Sequence, residues 1–360
     1  MRLPPPSTLN PARCCRAGMN PEVLLAAKLG WVLLVCTGFL ARAGRQGAAV
    51  LAALEPLGAV SGWLLPAAFL VSGAALLTNQ MTRAAAGIAG ASVVLTMLGS
   101  LAAWRAHEWL CGAVLVLASL DTPGGRPWLL RAQATLALAV VVLDRPGNID
   151  WTSRATLEGW EVGADTYSLL GALRAMGPAW LPELVAGWLM PATGLIAAAG
   201  LWLPRMRAPA AWAAALWLIL AYMLTGTDES AWYGLGVLVA MLGFLEWPRQ
   251  SLAAHWPRAC GWPMWLRIAL DHYDIDQQTE WPFPNNPDAD LDVWVDGRHL
   301  VGRRAVGALL LYFPLFHASV FALAVVLLVI LPQPWAMAGH GVLAGAALGF
   351  FWRGGGGSDR

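Results

Sequence analysis

Residues 57–77 read LGAVSGWLLPAAFLVSGAALL, and residues 84–104 read AAAGIAGASVVLTMLGSLAAW. Neither run contains a charged residue, and each has the length of about 20 apolar residues that a helix needs to cross a bilayer. Working outward, comparable apolar runs recur at 22–40, 107–120, 127–143, 182–203, 208–225, 231–247, 306–331 and 335–352. The composition agrees. Of 360 residues, 58% are hydrophobic and 12% charged, with a mean hydropathy of +0.56. A water-solvated domain carries about 25% charge, so much of this exterior is expected to face lipid. The reading is an all-α polytopic membrane bundle of about ten spans, with the bilayer as its first partner. The runs 107–120 and 127–143 are short and read either as a tight pair or as partly re-entrant segments, and the apolar stretch 47–54 as an interfacial segment.

Charge supplies exclusions and an orientation. The chain has 23 Lys+Arg, 22 Asp+Glu and a net charge of +1, which excludes a basic nucleic-acid binder and an acidic tail. Lys28 is its only lysine. Arg205 and Arg207, then Arg249 and Arg258, then Arg353 mark inward-facing segments under the positive-inside rule. Both termini and residues 248–305 are therefore expected at the cytoplasmic face of an inner membrane, and the acidic loop 144–166 outside. Arg42 and Arg45 fall on the wrong side of that scheme. Residues 1–20, Pro-rich and basic without a short apolar core, read as a retained disordered tail, with Met19 as an alternative start. Residues 353–360 read as a flexible tail carrying GGGG. The domains expected are thus 1–20, a bundle at 21–247, a small unit at 248–305, two further spans at 306–352, and the tail.

The chain holds 21 tryptophans, many near run ends: Trp104, Trp128, Trp180, Trp202, Trp232, Trp247, Trp335 and Trp352. An indole has an apolar body and one N–H donor, so an aromatic belt accounts for most of them. No cofactor is predicted, although a Trp-lined pocket leaves room for a quinone or other lipophilic ligand. Gly87, Gly90 and Gly99, like Gly341, Gly345 and Gly349, form small faces suited to close helix packing.

Residues 248–305 break the apolar pattern and carry a net charge of −2. Pro263 followed by MWLRIALDHY predicts a helix with Trp265 and Ile268 on one face. QQTEWPF reads as a strand and PFPNNPDAD as a loop. LDVWVDGRHLVG alternates on both sides of Asp296-Gly297, the strongest short hairpin signal. An apolar helix follows from near Arg304. Fewer than 60 residues fold alone only marginally, so this unit is expected to lean on the bundle.

The stretch WPRACGWPMWLRIALDHYDIDQQTEWPF, continued by DLDVWVDGRHLVGRRAVGALLLYFP, resembles the DCC family of thioredoxin-like proteins, named for an Asp-x-x-Cys-x-x-Cys pattern. The resemblance covers about a sixth of the chain and implies a small α+β thioredoxin-like domain. The pattern itself is degenerate. Cys260 stands at the first cysteine, Pro263 at the second and Pro257 at the aspartate. The order of spans around HEWLCGAVLVLASL and LLRAQATLALAVVVLD is similar to DoxX-like and vitamin K-dependent carboxylase-like (HTTM) membrane families, members of which are often fused to such a domain. No catalytic residue is carried over from them.

Five cysteines are present: Cys14, Cys15, Cys36, Cys111 and Cys260. None forms a C-x-x-C pair, no His/Cys cluster has zinc spacing, and no metal site is predicted. Cys36 and Cys111 lie in apolar runs, where a thiol behaves as a small hydrophobe, and Cys14-Cys15 reads as exposed thiols. A dithiol attacks with one sulfur and resolves with the other, so Cys260 alone forms mixed disulfides, with glutathione or a partner, or is a remnant in a fold kept for packing. The ionisable residues near mid-run are the pocket candidates. Arg131 pairs with Glu108 as a clamp or a pocket wall; His317, after Pro314, bonds a freed carbonyl or lines the same cavity. Lys28, Glu183 and His340 sit nearer run ends. Phosphate loops, locatable triads and H-E-x-x-H are absent. The function expected is a redox-associated, thiol–disulfide oxidoreductase-like membrane protein with Cys260 as its catalytic residue and thiol systems as partners. The rivals are a non-enzymatic accessory or scaffold subunit of a membrane complex, and a carrier of a small lipophilic molecule.

Overall fold

The structure is a computed structural model that describes residues 19–43, 58–99, 105–121, 127–148, 177–178, 180–207, most of 209–218, 228–244, 252–255, 264–273, 279–280, 291–295 and 298–312. Its helical region contains α1 (Pro21–Cys36), α2 (Gly58–Leu77), α3 (Thr82–Leu98), α4 (Ala106–Ser119), α5 (Trp128–Asn148), α6 (Met190–Gly200) and α7 (Asp228–Met241). A single turn, Trp180–Glu183, and a π-helical stretch, Leu184–Leu189, lead into α6.

The expectation of about ten membrane spans is overturned. Among the described residues, no helix is long and apolar enough to cross a membrane, so neither a polytopic bundle nor a multi-pass description stands. α1 and α3 stop short of the runs expected there, at Cys36 and Leu98, and α4 matches a run that is itself short: the three have 16, 17 and 14 residues. At about 1.5 Å per residue they reach roughly 21–26 Å, short of the ~30 Å hydrocarbon layer. α5 has 21 residues but includes Arg131, Asp144 and Arg145. The expected segments 47–54, 306–352 beyond Tyr312, and the tails lie outside the described residues.

Local chemistry sets these ends. Pro21 opens α1 with its φ already helical, and Glu22 places an acid at the positive end of the helix dipole. The preceding Asn20 is tied to Asp121, its Nδ2 donating to Oδ2 at 2.8 Å, which joins the start of α1 to the end of α4. The turn between α2 and α3 carries two non-glycine residues in the left-handed region, Asn79 at φ 59° and Met81 at φ 46°. Such residues cost on the order of 1 kcal/mol each. Lys28, fully buried on α1, holds this turn: its Nζ donates to Leu77 O at 3.2 Å and to Asn79 Oδ1 at 2.5 Å.

α3 and α4 pack through reciprocal glycines. A Cβ on Gly90 would stand 2.8 Å from Val116, and one on Gly112 would stand 2.8 Å from Val93. The backbones therefore approach where no side chain fits. α5 is pinned by Trp202 Nε1, which donates to Thr135 Oγ1 at 2.8 Å, and by Tyr233 Oη, which donates to Ala137 O at 2.9 Å. Trp202 also stacks on Trp128 and meets Phe244 edge-on. Both Trp128 and Trp202, expected in a belt, thus belong to an aromatic cluster between elements.

Beyond Phe244 the chain changes class. β1 (Leu252–His255), α8 (Met264–Tyr273), β2 (Thr279–Glu280), β3 (Asp292–Val295), β4 (Arg298–Val301) and α9 (Arg303–Tyr312) form a four-stranded sheet with two helices. The strand order is β2-β1-β3-β4. β1 and β2 are parallel; β1 with β3 and β3 with β4 are antiparallel. Val295 pairs with Arg298, so the antiparallel ladder runs up to the expected turn, whose residues Asp296 and Gly297 lie outside the described residues. Gly302, at φ 60°, leads from β4 into α9 and donates its N–H to Leu291 O at 2.7 Å. Ala254, Leu270, Leu291, Val293, Ala305 and Leu309 are buried. Trp265 and Ile268 do share a face of α8, but that face is exposed.

Candidate functional site

In a strand, successive side chains point to opposite faces. Val293 and its partner Ala254 are both buried. Asp292 and Trp294 therefore stand on the other face of β3. The ladder places His255, at the end of β1, opposite Asp292, and His299, on β4, opposite Trp294. All four side chains share one face.

The carboxylate of Asp292 bridges two imidazoles. His255 Nδ1 donates to Oδ1 at 2.7 Å, and His299 Nε2 donates to Oδ2 at 2.8 Å. An ionised carboxylate only accepts, so each contacting ring nitrogen carries the hydrogen. Trp294 stacks on His299, the ring centroids 4.6 Å apart and the planes 25° from parallel. The side chains of His255, Asp292 and His299 are 28%, 24% and 42% exposed, so the cluster is reachable from solvent. Its chemistry follows from its tautomers. His255 presents Nε2, and His299 presents Nδ1, each as a lone pair that can take a proton, while Asp292 fixes both rings. Among the described residues, no group of three or more His, Cys, Asp or Glu is arranged to hold a metal ion.

The structure treats the sequence candidates differently. Glu108 is buried on α4 and forms its ion pair with Arg42. Arg131 is buried on α5; its Nε donates to Gly243 O at 2.7 Å, and its guanidinium lies over the Phe244 ring, 5.5 Å from the centroid. The expected Arg131–Glu108 clamp is thus replaced by two separate anchors. The reason is topological: Arg42, misplaced in the orientation scheme, arrives beside the first turn of α4. Cys260 and His317 lie outside the described residues. Of the described thiols, Cys111 is fully buried and burial pushes it up to about 12, and burial also raises Cys36. Neither supplies a thiolate near neutrality.

His255, Asp292, Trp294 and His299 were missed by the sequence reading. Part of the signal was there. A two-residue turn at Asp296-Gly297 pairs 294 with 299, and the period of two puts 292 on the same face. His255 joins them only through pairing with a strand of four residues far away in sequence.

Comparison of the chain with protein-family models, with curated proteins and with solved structures found no match.

Proposed function

We propose that this chain is redox-associated, and that its α+β unit is a single-thiol exchange site centred on Cys260. The observation that supports the reading is the parallel β1–α8–β2 unit. Cys260 falls, in sequence, between the carboxyl end of β1 and the start of α8. In α/β sheets that end of a parallel strand is where ligands bind. The helix–strand–hairpin–helix order is also the one on which the likeness to the DCC family rests. With one thiol the chemistry is a mixed disulfide: the Cys260 thiolate attacks a disulfide of the glutathione class, forms the new S–S bond and releases the other sulfur as a thiolate. Incubation of the full chain with glutathione disulfide, read by peptide mass spectrometry, should add glutathione at Cys260 and leave Cys111 unmodified. A Cys260 peptide that stays unmodified under conditions that modify free cysteine rules the reading out.

A second reading, a non-enzymatic accessory subunit, is favoured by the outer face of α2 and α3. There Trp63, Leu64, Leu70, Val71, Ile88, Leu95 and Leu98 are all exposed. Apolar patches of that extent mark interaction sites. A stoichiometric partner retained through purification, and lost with Val71→Glu and Ile88→Glu, supports it.

A further inference from the structure

We propose that one end of the helical region docks on an anionic phospholipid surface, lying on it rather than crossing it. Contacts between elements define that end. α3 starts where α4 finishes, since Arg83 Nε donates to Ser119 O at 3.2 Å. α1 starts there too, through the bond from Asn20 to Asp121. Gly236 meets Leu110 and Cys111, while Val239 and Val114 both flank Gly30, so α7 runs in the direction of α4 and finishes on the same side. α5 starts against that end of α7, where Arg131 is bonded to Gly243 O. Trp128, its first residue, stacks on Trp202 just beyond α6. The starts of α1, α3 and α5 and the ends of α4, α6 and α7 thus gather together.

What this end shows to solvent is apolar and basic. Met81, Leu120, Trp128, Leu129, Leu203 and Met206 are all exposed there. Met81 precedes α3 and Leu120 caps α4; Trp128 and Leu129 open α5, and Leu203 and Met206 lie on the tight turn after α6. Arg83 and Arg205 are exposed among them, whereas Glu22 and Asp121, acids of the same end, are buried. Exposed bases beside buried acids complement anionic headgroups, and a guanidinium grips phosphate oxygens in pairs. The indole of Trp128 suits the headgroup level. Turn tips from several elements give a partner helix no single stripe to follow, while a fluid lipid surface needs no matching shape. Contact of this kind requires no helix that crosses a bilayer. The surface is separate from the outer face of α2 and α3 and does not depend on Cys260.

The test is flotation of the full chain with vesicles of phosphatidylcholine alone and vesicles of phosphatidylcholine with phosphatidylserine. The chain should bind the anionic vesicles about tenfold better than the neutral ones, and added salt should remove most of that difference. Arg83→Gln combined with Arg205→Gln should weaken binding to the anionic vesicles by about 20-fold, while Lys at both positions should keep it within about threefold of the parent. Leu203→Glu with Met206→Glu should abolish it. Leu98→Glu, at the opposite end of α3, should stay within about twofold, with circular dichroism checking each fold. Equal flotation with both kinds of vesicle, or none with either, overturns the proposal in the parent chain, before any variant is made. So does a folded Arg83→Gln, Arg205→Gln chain that binds like the parent, or a loss that Leu98→Glu causes equally. Self-association that Leu203→Glu with Met206→Glu removes, without vesicle binding, assigns this end to a protein contact and overturns the proposal as well.

Discussion

On α2 and α3 the side chains turned outward include Trp63, Leu64, Val71, Ile88 and Leu98, while Ser72, Thr82, Ser92 and Thr96 are buried. In the sheet the arrangement is the opposite: Ala254 and Val293 are buried, and His255, Asp292 and His299 are partly exposed on the other face. The difference lies in how each region satisfies its polar groups. Ser92 Oγ donates to Ile88 O at 2.8 Å, and Thr96 Oγ1 donates to Ser92 O at 2.7 Å, so the helix supplies its own acceptors and the hydroxyls need no water. The sheet's polar side chains satisfy one another across strands and keep a free nitrogen for chemistry. The helical region uses polarity to fix its interior; the sheet unit uses it to expose a reactive face.

Substitutions can break this contrast, and their effects should fall in order. Glu108→Ala leaves the Arg42 guanidinium without its carboxylate in a largely buried site, and should cost about 3 kcal/mol in thermal unfolding followed by circular dichroism. Gly90→Val forces a side chain against Val116 and should cost roughly 2 kcal/mol or more by the same measurement, whereas Gly307→Ala, with open space around it, should not. Alkaline pH provides a third test. Burial raises Cys111 from its ordinary 9.0 to about 12, so the folded state holds this proton more tightly than the unfolded one. Stability is then fully present below pH 9.0 and is lost as pH rises toward 12, by on the order of 1 kcal/mol at pH 10. Cys111→Ala should remove that part of the alkaline slope. Asp292→Ala should cost only about 1 kcal/mol, because the imidazoles it orphans are partly exposed and turn to water. Smallest of all, Ile88→Ser on the outer face should stay within about 0.5 kcal/mol, which urea unfolding resolves. An Ile88→Ser cost as large as that of Glu108→Ala would show that the outer face is buried by something and erase the contrast.

What was legible in the sequence was local. The hairpin could be read at Asp296-Gly297 because the two turn residues and the flanking alternation all lie within twelve positions. The helix after Pro263 was legible for the same reason. β1 was not: LAAH has no β-branched residue, and its strand character comes from pairing with β2 and β3. Arg131 and Glu108 stood out as charges in apolar runs, yet their partners, Gly243 and Arg42, are set by tertiary packing. The span count failed because hydropathy measures how apolar a run is. Where its helix begins and ends is decided elsewhere, as by Asn20 and Pro21 at the start of α1 and by the strained turn at Asn79 and Met81 between α2 and α3. The site was least legible of all, since three strands contribute one polar residue or more and no two of those strands are recognisable as partners except β3 and β4.

The burial of Lys28 has a practical consequence. It carries the only ε-amine in the chain, and that amine is held against the turn after α2 with no exposed surface. Amine-directed reagents should therefore leave every side chain of the native fold untouched. Acylation of Lys28 then becomes a chemical clock: its rate counts how often α1 parts from that turn, and it gives the opening free energy of this one joint without any engineered probe.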